Sequence, residues 1–423
     1  MKVGLAICLM LAMVSASAQS SAKVEECAFS NSYFADEERE VLYNLEYGTA
    51  INSKGNTETL RLDLYRPKSA YDEMERRPLI VYVHGGSLLG GNKDLEGPVW
   101  FGNELSRRGF ITACINYRKG WDKLDGNCQG DTLSLELARY RADQDVRAAL
   151  RYLYENAATL RIDTQMVILS GFSVGATVAF TAALAEQADY PAYLYEALGP
   201  VDSSGNTFYN HLPEIQALVG KSAAIDQPQL LARKPLPALM AHGTCDNIVD
   251  YIEAPLFSCY TPIRYRQYYG ARYLADLLQI AGTPYHLVTN EGADHSAIND
   301  TLMVELTADF ATDLVCGTLE KKELYQFNNG GCLISDAATL DLLVVPNPVQ
   351  GTLTVKITAA SPRIFDMVIY DVTGRKVFET VVAFEPPVAN IGIPVGQYIT
   401  TSGVYFLHVS ANELNNTYPF YKE

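Results

Sequence analysis

Met166-Val167-Ile168-Leu169-Ser170-Gly171-Phe172-Ser173-Val174-Gly175-Ala176-Thr177-Val178-Ala179-Phe180 is the stretch that decides the fold. Met166–Leu169 is a short apolar run, the pattern of a buried strand. From Ala176 to Leu184 the chain reads as a helix packed on that strand. Between them lies Gly171-x-Ser173-x-Gly175. A strand that bends so abruptly into a helix crowds its own backbone, and Gly171 and Gly175 lack the Cβ atoms that would collide there. The bend leaves Ser173 at the mouth of the sheet. It also sits near a helix N-terminus, whose free N–H groups favour negative charge.

Gly-x-Ser-x-Gly in a strand–turn–helix context is the pattern of a nucleophile elbow. A serine hydroxyl is a weak nucleophile until a base stands within hydrogen-bond reach and a third group holds that base's tautomer. In folds with such an elbow the partners follow in the order Ser, Asp/Glu, His. The chain holds six histidines. His295 closes a loop, Glu291-Gly292-Ala293-Asp294-His295, just past the strand-like run ending at Asn290, and is the expected base. His242 ends a strand, where its ring can bond the turn backbone; His286 lies within one; His211 is in a polar loop and His408 in a separate C-terminal segment. For the acid, Asp246 follows the apolar run Leu236–Met240 and is preferred to Asp250, deeper in the turn, and to Asp294, adjacent to His295. Asp246 and His295 thus both lie beyond C-terminal strand ends, where open parallel sheets bind ligands.

Leu79–Val83 is another continuous apolar run and enters His84-Gly85-Gly86-Ser87. A loop of this kind supplies backbone N–H donors for an oxyanion, as does the residue after the nucleophile. Gly86, Ser87 and Val174 are the expected oxyanion-hole donors.

His84-Gly85-Gly86, Gly171–Gly175, His242-Gly243-Thr244-x-Asp246 and Gly292-x-x-His295 together resemble the carboxylesterases of the α/β-hydrolase fold. The resemblance runs from about Val41 to Cys316 and includes Leu62-Asp63-Leu64-Tyr65-Arg66-Pro67 and Ile115-Asn116-Tyr117-Arg118. Where many relatives carry a third glycine this chain has Ser87. A backbone donor does not require glycine, so the departure touches the preference for bulky alcohols rather than the hole.

Strand-like runs at Leu79–Val83, Ile111–Tyr117, Met166–Leu169, Ile215–Leu218, Pro237–Ala241 and His286–Asn290 alternate with helical patterns. Val146, Ala149, Leu150 and Leu153 have the spacing of an amphipathic helix. Such alternation predicts an α/β fold, a mostly parallel sheet with helices on both faces. Val41–Ala50 and Glu58–Tyr65 read as an antiparallel pair ahead of it. No long helical insertion separates elbow from acid, so no large lid is expected. Pocket walls are expected from 119–132 and from the tyrosine-rich segment 251–269.

Residues 1–18 read as a signal peptide: Lys2, an apolar run from Leu5 to Val14, and Ala16-Ser17-Ala18 as the cleavage site. No other segment is apolar and long enough to span a bilayer. With 49 acidic against 33 basic residues the net charge is −16, which argues against nucleic acid or an anionic membrane as partner. Export permits disulfides. Cys245 with Cys259 and Cys316 with Cys332 are reasonable local pairs, Cys27 with Cys128 a weaker one, and Cys114 reads as a buried thiol. No Cys-x-x-Cys or His-rich spacing suggests a metal, and no cofactor is expected.

Residues 19–320 are read as the catalytic domain and 321–340 as a linker. From 341 to 423 strands alternate with turns and helical patterns vanish, predicting a small β-sandwich. There Pro346-Asn347-Pro348, Asp371-x-x-Gly374-Arg375 and Ser402-Gly403-Val404-Tyr405-Phe406 resemble the C-terminal sorting domain of proteins exported by the type IX secretion system. That resemblance implies the secretion machinery as a partner, transit through the periplasm, and a secreted or cell-surface product. The combined expectation is a secreted serine carboxylic-ester hydrolase. Its acyl-enzyme would form on Ser173, on a small-molecule or polysaccharide-linked ester with a short acyl chain. A prolyl-type peptidase, a polyester hydrolase, or a non-catalytic hydrolase-fold binding or adhesion protein are the alternatives.

Overall fold

Continuous apolar runs build the centre of one large sheet. The computed structural model describes residues 33–123, 127–205, 211–259, 265–296, 298–327, 341–358, 363–384, 388–411 and 414–423. The expected signal peptide, Cys27 and Cys332 lie outside these residues. Contacts divide the chain into two compact units, with the division between Gly331 and Cys332.

The first unit holds nine strands in one sheet: β1 (Arg39–Ile51), β2 (Thr57–Pro67), β3 (Arg77–Val83), β4 (Ile111–Ile115), β5 (Ile162–Phe172), β6 (Ala217–Lys221), β7 (Ala238–Gly243), β8 (Tyr285–Glu291) and β9 (Lys322–Phe327). Their order is β1-β2-β4-β3-β5-β6-β7-β8-β9. β1 pairs antiparallel with β2, and β2 with β4; from β4 to β9 every pairing is parallel. Successive side chains of a strand face opposite sides, and the core follows that rule. Ile80 of β3 and Ile168 of β5 join one apolar cluster with Phe101, Val304 and Phe310. Their neighbours Val81 and Leu169 join another with Val146, Leu150 and Phe180.

Helices α1 (Glu96–Arg107), α2 (Thr132–Glu155), α3 (Val174–Leu184) and α5 (Asp300–Cys316) supply those partners, and α4 (Ala271–Ala281) adds Leu274 and Leu278 to the second cluster. The α2 stripe of Val146, Ala149, Leu150 and Leu153 is buried, as its spacing predicts. Among the described residues no helix is long and apolar enough to cross a membrane.

The sheet extends further than the sequence reading allowed. Residues 321–340 read as a linker, yet Lys322–Phe327 forms β9, parallel to β8. This strand is a polar-rich edge with exposed Leu324 and Tyr325, so it carries no buried-strand signature. Its Glu323 is held by Tyr285 Oη at 2.6 Å and Arg272 at 3.3 Å, contacts invisible in a local pattern.

The second unit is a pair of antiparallel sheets with its own core. β10 (Asp341–Val345), β11 (Leu353–Thr358) and β14 (Val388–Ile393) form one. β12 (Arg363–Asp371), β13 (Lys376–Phe384), β15 (Gly403–Ala411) and β16 (Leu414–Lys422) form the other, in the order β13-β12-β15-β16. Leu353 and Val355 from the first sheet pack with Met367, Ile369, Leu407 and Val409 from the second, a small β-sandwich. The Asp371-x-x-Gly-Arg motif is its β12–β13 turn: Asp371 Oδ1 accepts from Thr373 N and Arg375 N, and Gly374 takes φ +81°.

Two groups beyond the sheet's strand ends make testable claims. Arg118, after β4, grips Asp145 of α2 through Nε and Nη2 (2.9 and 2.7 Å) and also bonds Gln144, Ser204 and the Ile51 carbonyl. Both members of the pair are buried. Removing one partner strands the other charge, so Arg118→Met is expected to lower unfolding stability by about 3–5 kcal/mol in urea titration. His84, after β3, stacks on Tyr117 at 4.4 Å and donates from Nδ1 to Gly85 O, while its buried Nε2 finds no partner among the described residues. Burial pushes its pKa down from 6.5 to about 4. Between those values the unfolded chain binds a proton that the fold excludes, so this contribution is complete above pH 6.5 and is lost as pH falls towards 4. Replacing His84 with Phe should flatten the fall of melting temperature across that window; an unchanged slope would exclude His84 as its source.

Candidate active site

Ser173 sits between β5 and α3 with φ 57° and ψ −130°, a conformation that costs a non-glycine residue about 1–3 kcal/mol. Its surroundings enforce it. A Cβ on Gly175 would run into the carbonyl oxygens of Val83 and His84, and one on Gly171 would lie 2.5 Å from the Gly175 carbonyl carbon. Ser173 N donates to Lys221 O at 2.9 Å, fastening the turn to the end of β6.

Three strand ends converge on the hydroxyl. His295, beyond β8, places Nε2 2.8 Å from Ser173 Oγ and Nδ1 2.6 Å from Asp246 Oδ2. Asp246, beyond β7, takes the Ile248 and Val249 amides on Oδ1, each at 2.9 Å. His242 Nε2 lies 3.1 Å from Asp246 Oδ2 and 2.9 Å from the Val249 carbonyl. Burial opposes the Asp246 charge, but the hydrogen bonds from His242 and His295 outweigh it and hold the carboxyl well below the usual carboxylate range. Ser222 Oγ donates to His295 O at 3.0 Å and fixes the base from behind.

The competing residues are placed elsewhere. Asp250 caps its own turn through Ile252 N and Glu253 N, and Asp294 is exposed and bonds Ser296 N. His286 packs edge-on against Phe310; His211 is exposed beside Glu155; His408 lies in the second unit near Thr417.

The loop after β3 carries Gly86, Ser87 and Leu88 at φ +122°, +54° and +57°. It is pinned by the segment after β4: Tyr117 Oη donates to His84 O, Gly120 N to Leu88 O, and Lys119 Nζ to Gly91 O. Among the described residues none accepts a bond from the N–H of Gly86, Ser87 or Val174. Ser87 and Val174 border the same cleft as Ser173.

Both segments expected as walls contribute to that cleft. Trp121 stacks on Phe257 at 6.2 Å and meets Tyr265 edge-on at 5.8 Å. Tyr265 Oη accepts from Gly130 N and donates to Asn127 O. Cys128 and Cys259 are joined, Cα to Cα 5.4 Å, across 131 residues of sequence. This overturns two expected pairings, Cys245–Cys259 and Cys27–Cys128. The turn after β7 ties the Cys245 N–H to Ala293 O, whereas Cys259 is carried with Phe257 towards the 127–130 turn. Cys245 and Cys316 each belong to a separate disulfide, and Cys114 is a buried free thiol. Sequence reading missed Lys221 and Ser222, which support the serine and the histidine; they follow a run whose strand end was read at Leu218, three residues early.

Residues 62–232 match the BD-FAE family, and residues 343–420 match the Secretion system C-terminal sorting domain. Curated relatives include Neuroligin-like protein glit-1 of Caenorhabditis elegans, 21% identical over 64% of this chain and 35% of its own length. Esterase E4 of Myzus persicae is 31% identical over 31% of this chain and 23% of its own length. The chain thus spans about a third or less of these relatives. Among solved structures, a truncated carbohydrate esterase from gut microbiota aligns with 67% of this chain and 99% of its own, at 17% identity and TM-score 0.45. Esterase Est2 of Thermogutta terrifontis with bound propionate aligns with 67% of this chain and 97% of its own, at 19% identity and TM-score 0.43. A sorting domain marks its chain for secretion or the cell surface. The strand order, the elbow and the family match over residues 62–232 make the first unit an α/β-hydrolase fold similar to the BD-FAE family, and residues 343–420 are similar to the Secretion system C-terminal sorting domain.

Proposed function

We propose that the first unit is a serine carboxylic-ester hydrolase working through an acyl-enzyme on Ser173. The observation that carries the reading is the unbroken relay from Ser173 Oγ through His295 to Asp246, at 2.8 and 2.6 Å. Ser173 Oγ attacks the ester carbonyl while His295 Nε2 takes its proton. The Asp246 carboxylate holds the proton on Nδ1 and stabilises the imidazolium that forms. The oxygen that becomes negative is taken by the N–H groups of Val174, Ser87 and Gly86, each such donor being worth about 2.7–4 kcal/mol in the transition state. His295 then protonates the departing alcohol, and water repeats the cycle on the acyl-enzyme.

The substrate is a short-chain or carbohydrate-linked acyl ester. Apolar and aromatic walls beside the serine favour the acyl portion over a charged group. The route is type IX export across the periplasm, and the second unit is the part the machinery reads.

Hydrolysis of p-nitrophenyl esters tests this. Ser173→Ala should lower kcat by about a millionfold, to background. Asp246→Asn should lower it by about ten-thousandfold, because an amide cannot accept both imidazoles and both backbone amides and so loosens the tautomer. Full turnover in Ser173→Ala, or failure of the parent to bind a fluorophosphonate probe covalently at Ser173, would rule the mechanism out.

A further inference from the structure

Two cavities of the first unit, one of them at Ser173, share one wall. The first is the cleft at Ser173, bordered by Ser87, Val174, Val249 and Phe257. The second holds about 170 Å³ and is bordered by Thr132, Glu136, Tyr265 and Arg266. Leu135, Arg139 and Tyr268 line both. Leu135 and Arg139 come one turn apart from α2, and Tyr268 comes from the short strand Gln267–Gly270.

The three wall residues are held unequally. Arg139 Nη1 lies 2.6 Å from Asp226 Oδ1, both side chains buried, so the guanidinium cannot swing away without stranding a buried carboxylate. Asp226 is also approached by Arg266 at 3.6 Å. Tyr268, by contrast, touches Arg139 only through a long 3.4 Å contact to its hydroxyl. Tyr268 as a whole is 6% exposed and packs with Ala224 and Val249.

We propose that Tyr268 is the specificity-determining residue of the acyl cleft: its ring, backed by Leu135 and Arg139, partitions the Ser173 cleft from the second cavity and limits the acyl chain. This rests on the ester-hydrolase reading and adds to it the element that sets chain length. An acetyl or propionyl group ends before the partition. An octanoyl chain meets the ring, and removal of the ring joins the two cavities into one longer channel.

The test compares kcat/KM on p-nitrophenyl acetate and octanoate for the full chain. Tyr268→Ala should raise the octanoate-to-acetate ratio at least tenfold. Tyr268→Phe, which keeps the ring, should hold the parent ratio, as a merely polar role for Tyr268 would not allow. Leu135→Ala opens the same wall from α2 and should move the ratio in the same direction, which covers a failure of Tyr268→Ala to fold. Ratios within twofold of the parent in the folded alanine variants would overturn the partition while leaving the hydrolase reading intact. Undiminished hydrolysis by Ser173→Ala would instead overturn the hydrolase reading, and the partition with it.

Discussion

The left-handed backbone at Ser173 is the constraint on which the rest depends. A non-glycine residue stays in such a conformation only where its surroundings leave no alternative. Here they are the close approach of Gly175 to the Val83 and His84 carbonyls, and of Gly85 to the Phe172 carbonyl. The same contacts bring the loop holding Gly86 and Ser87 against the elbow. The proposed nucleophile and the proposed oxyanion donors are therefore not two features placed separately; they are the two sides of one packed seam between β3 and β5. The continuous apolar runs of those strands, buried on both faces, are what make the seam rigid enough to hold the strain.

The acid is the second fixed point. A carboxylate removed from water is costly unless its oxygens are satisfied, and Asp246 is met by two backbone amides on one oxygen and two imidazoles on the other. His242 was legible as a structural histidine bonding the turn backbone, and it does bond the Val249 carbonyl. The structure adds that the same nitrogen reaches Asp246. His242 and His295 thus share Asp246 Oδ2, which ties that oxygen to the turn as well as to the proposed base.

That Ser173, His295 and Asp246 would come together was readable because each closes a strongly patterned strand. Ser173, Asp246 and His295 each follow an apolar run, and turn chemistry marks each run's end. What escaped the reading is non-local. β9 is an edge strand with exposed Leu324 and Tyr325, so periodicity gave no signal for it. Lys221 and Ser222 act through a carbonyl and a hydroxyl whose partners lie 48 and 73 residues away in effect only once β5, β6 and β8 are aligned. The Cys128–Cys259 bond failed for the same reason: spacing along the chain favours near neighbours, whereas a sheet with crossovers brings loops 131 residues apart to one edge.

That bond also bears on how an exported chain keeps its cleft. The disulfide joins the two segments carrying Trp121 and Phe257, neither of which belongs to the sheet, and limits how far the wall can open. A free thiol nearby would endanger it, because thiolates attack disulfides. Cys114 is instead enclosed in β4, donates to Pro98 O at 3.2 Å, and has its pKa pushed up by burial. Held as a neutral thiol between β2 and β3, it cannot serve as the attacking thiolate without local unfolding. The rigidity of the central strands therefore protects the cross-link at the rim as well as the geometry at the serine.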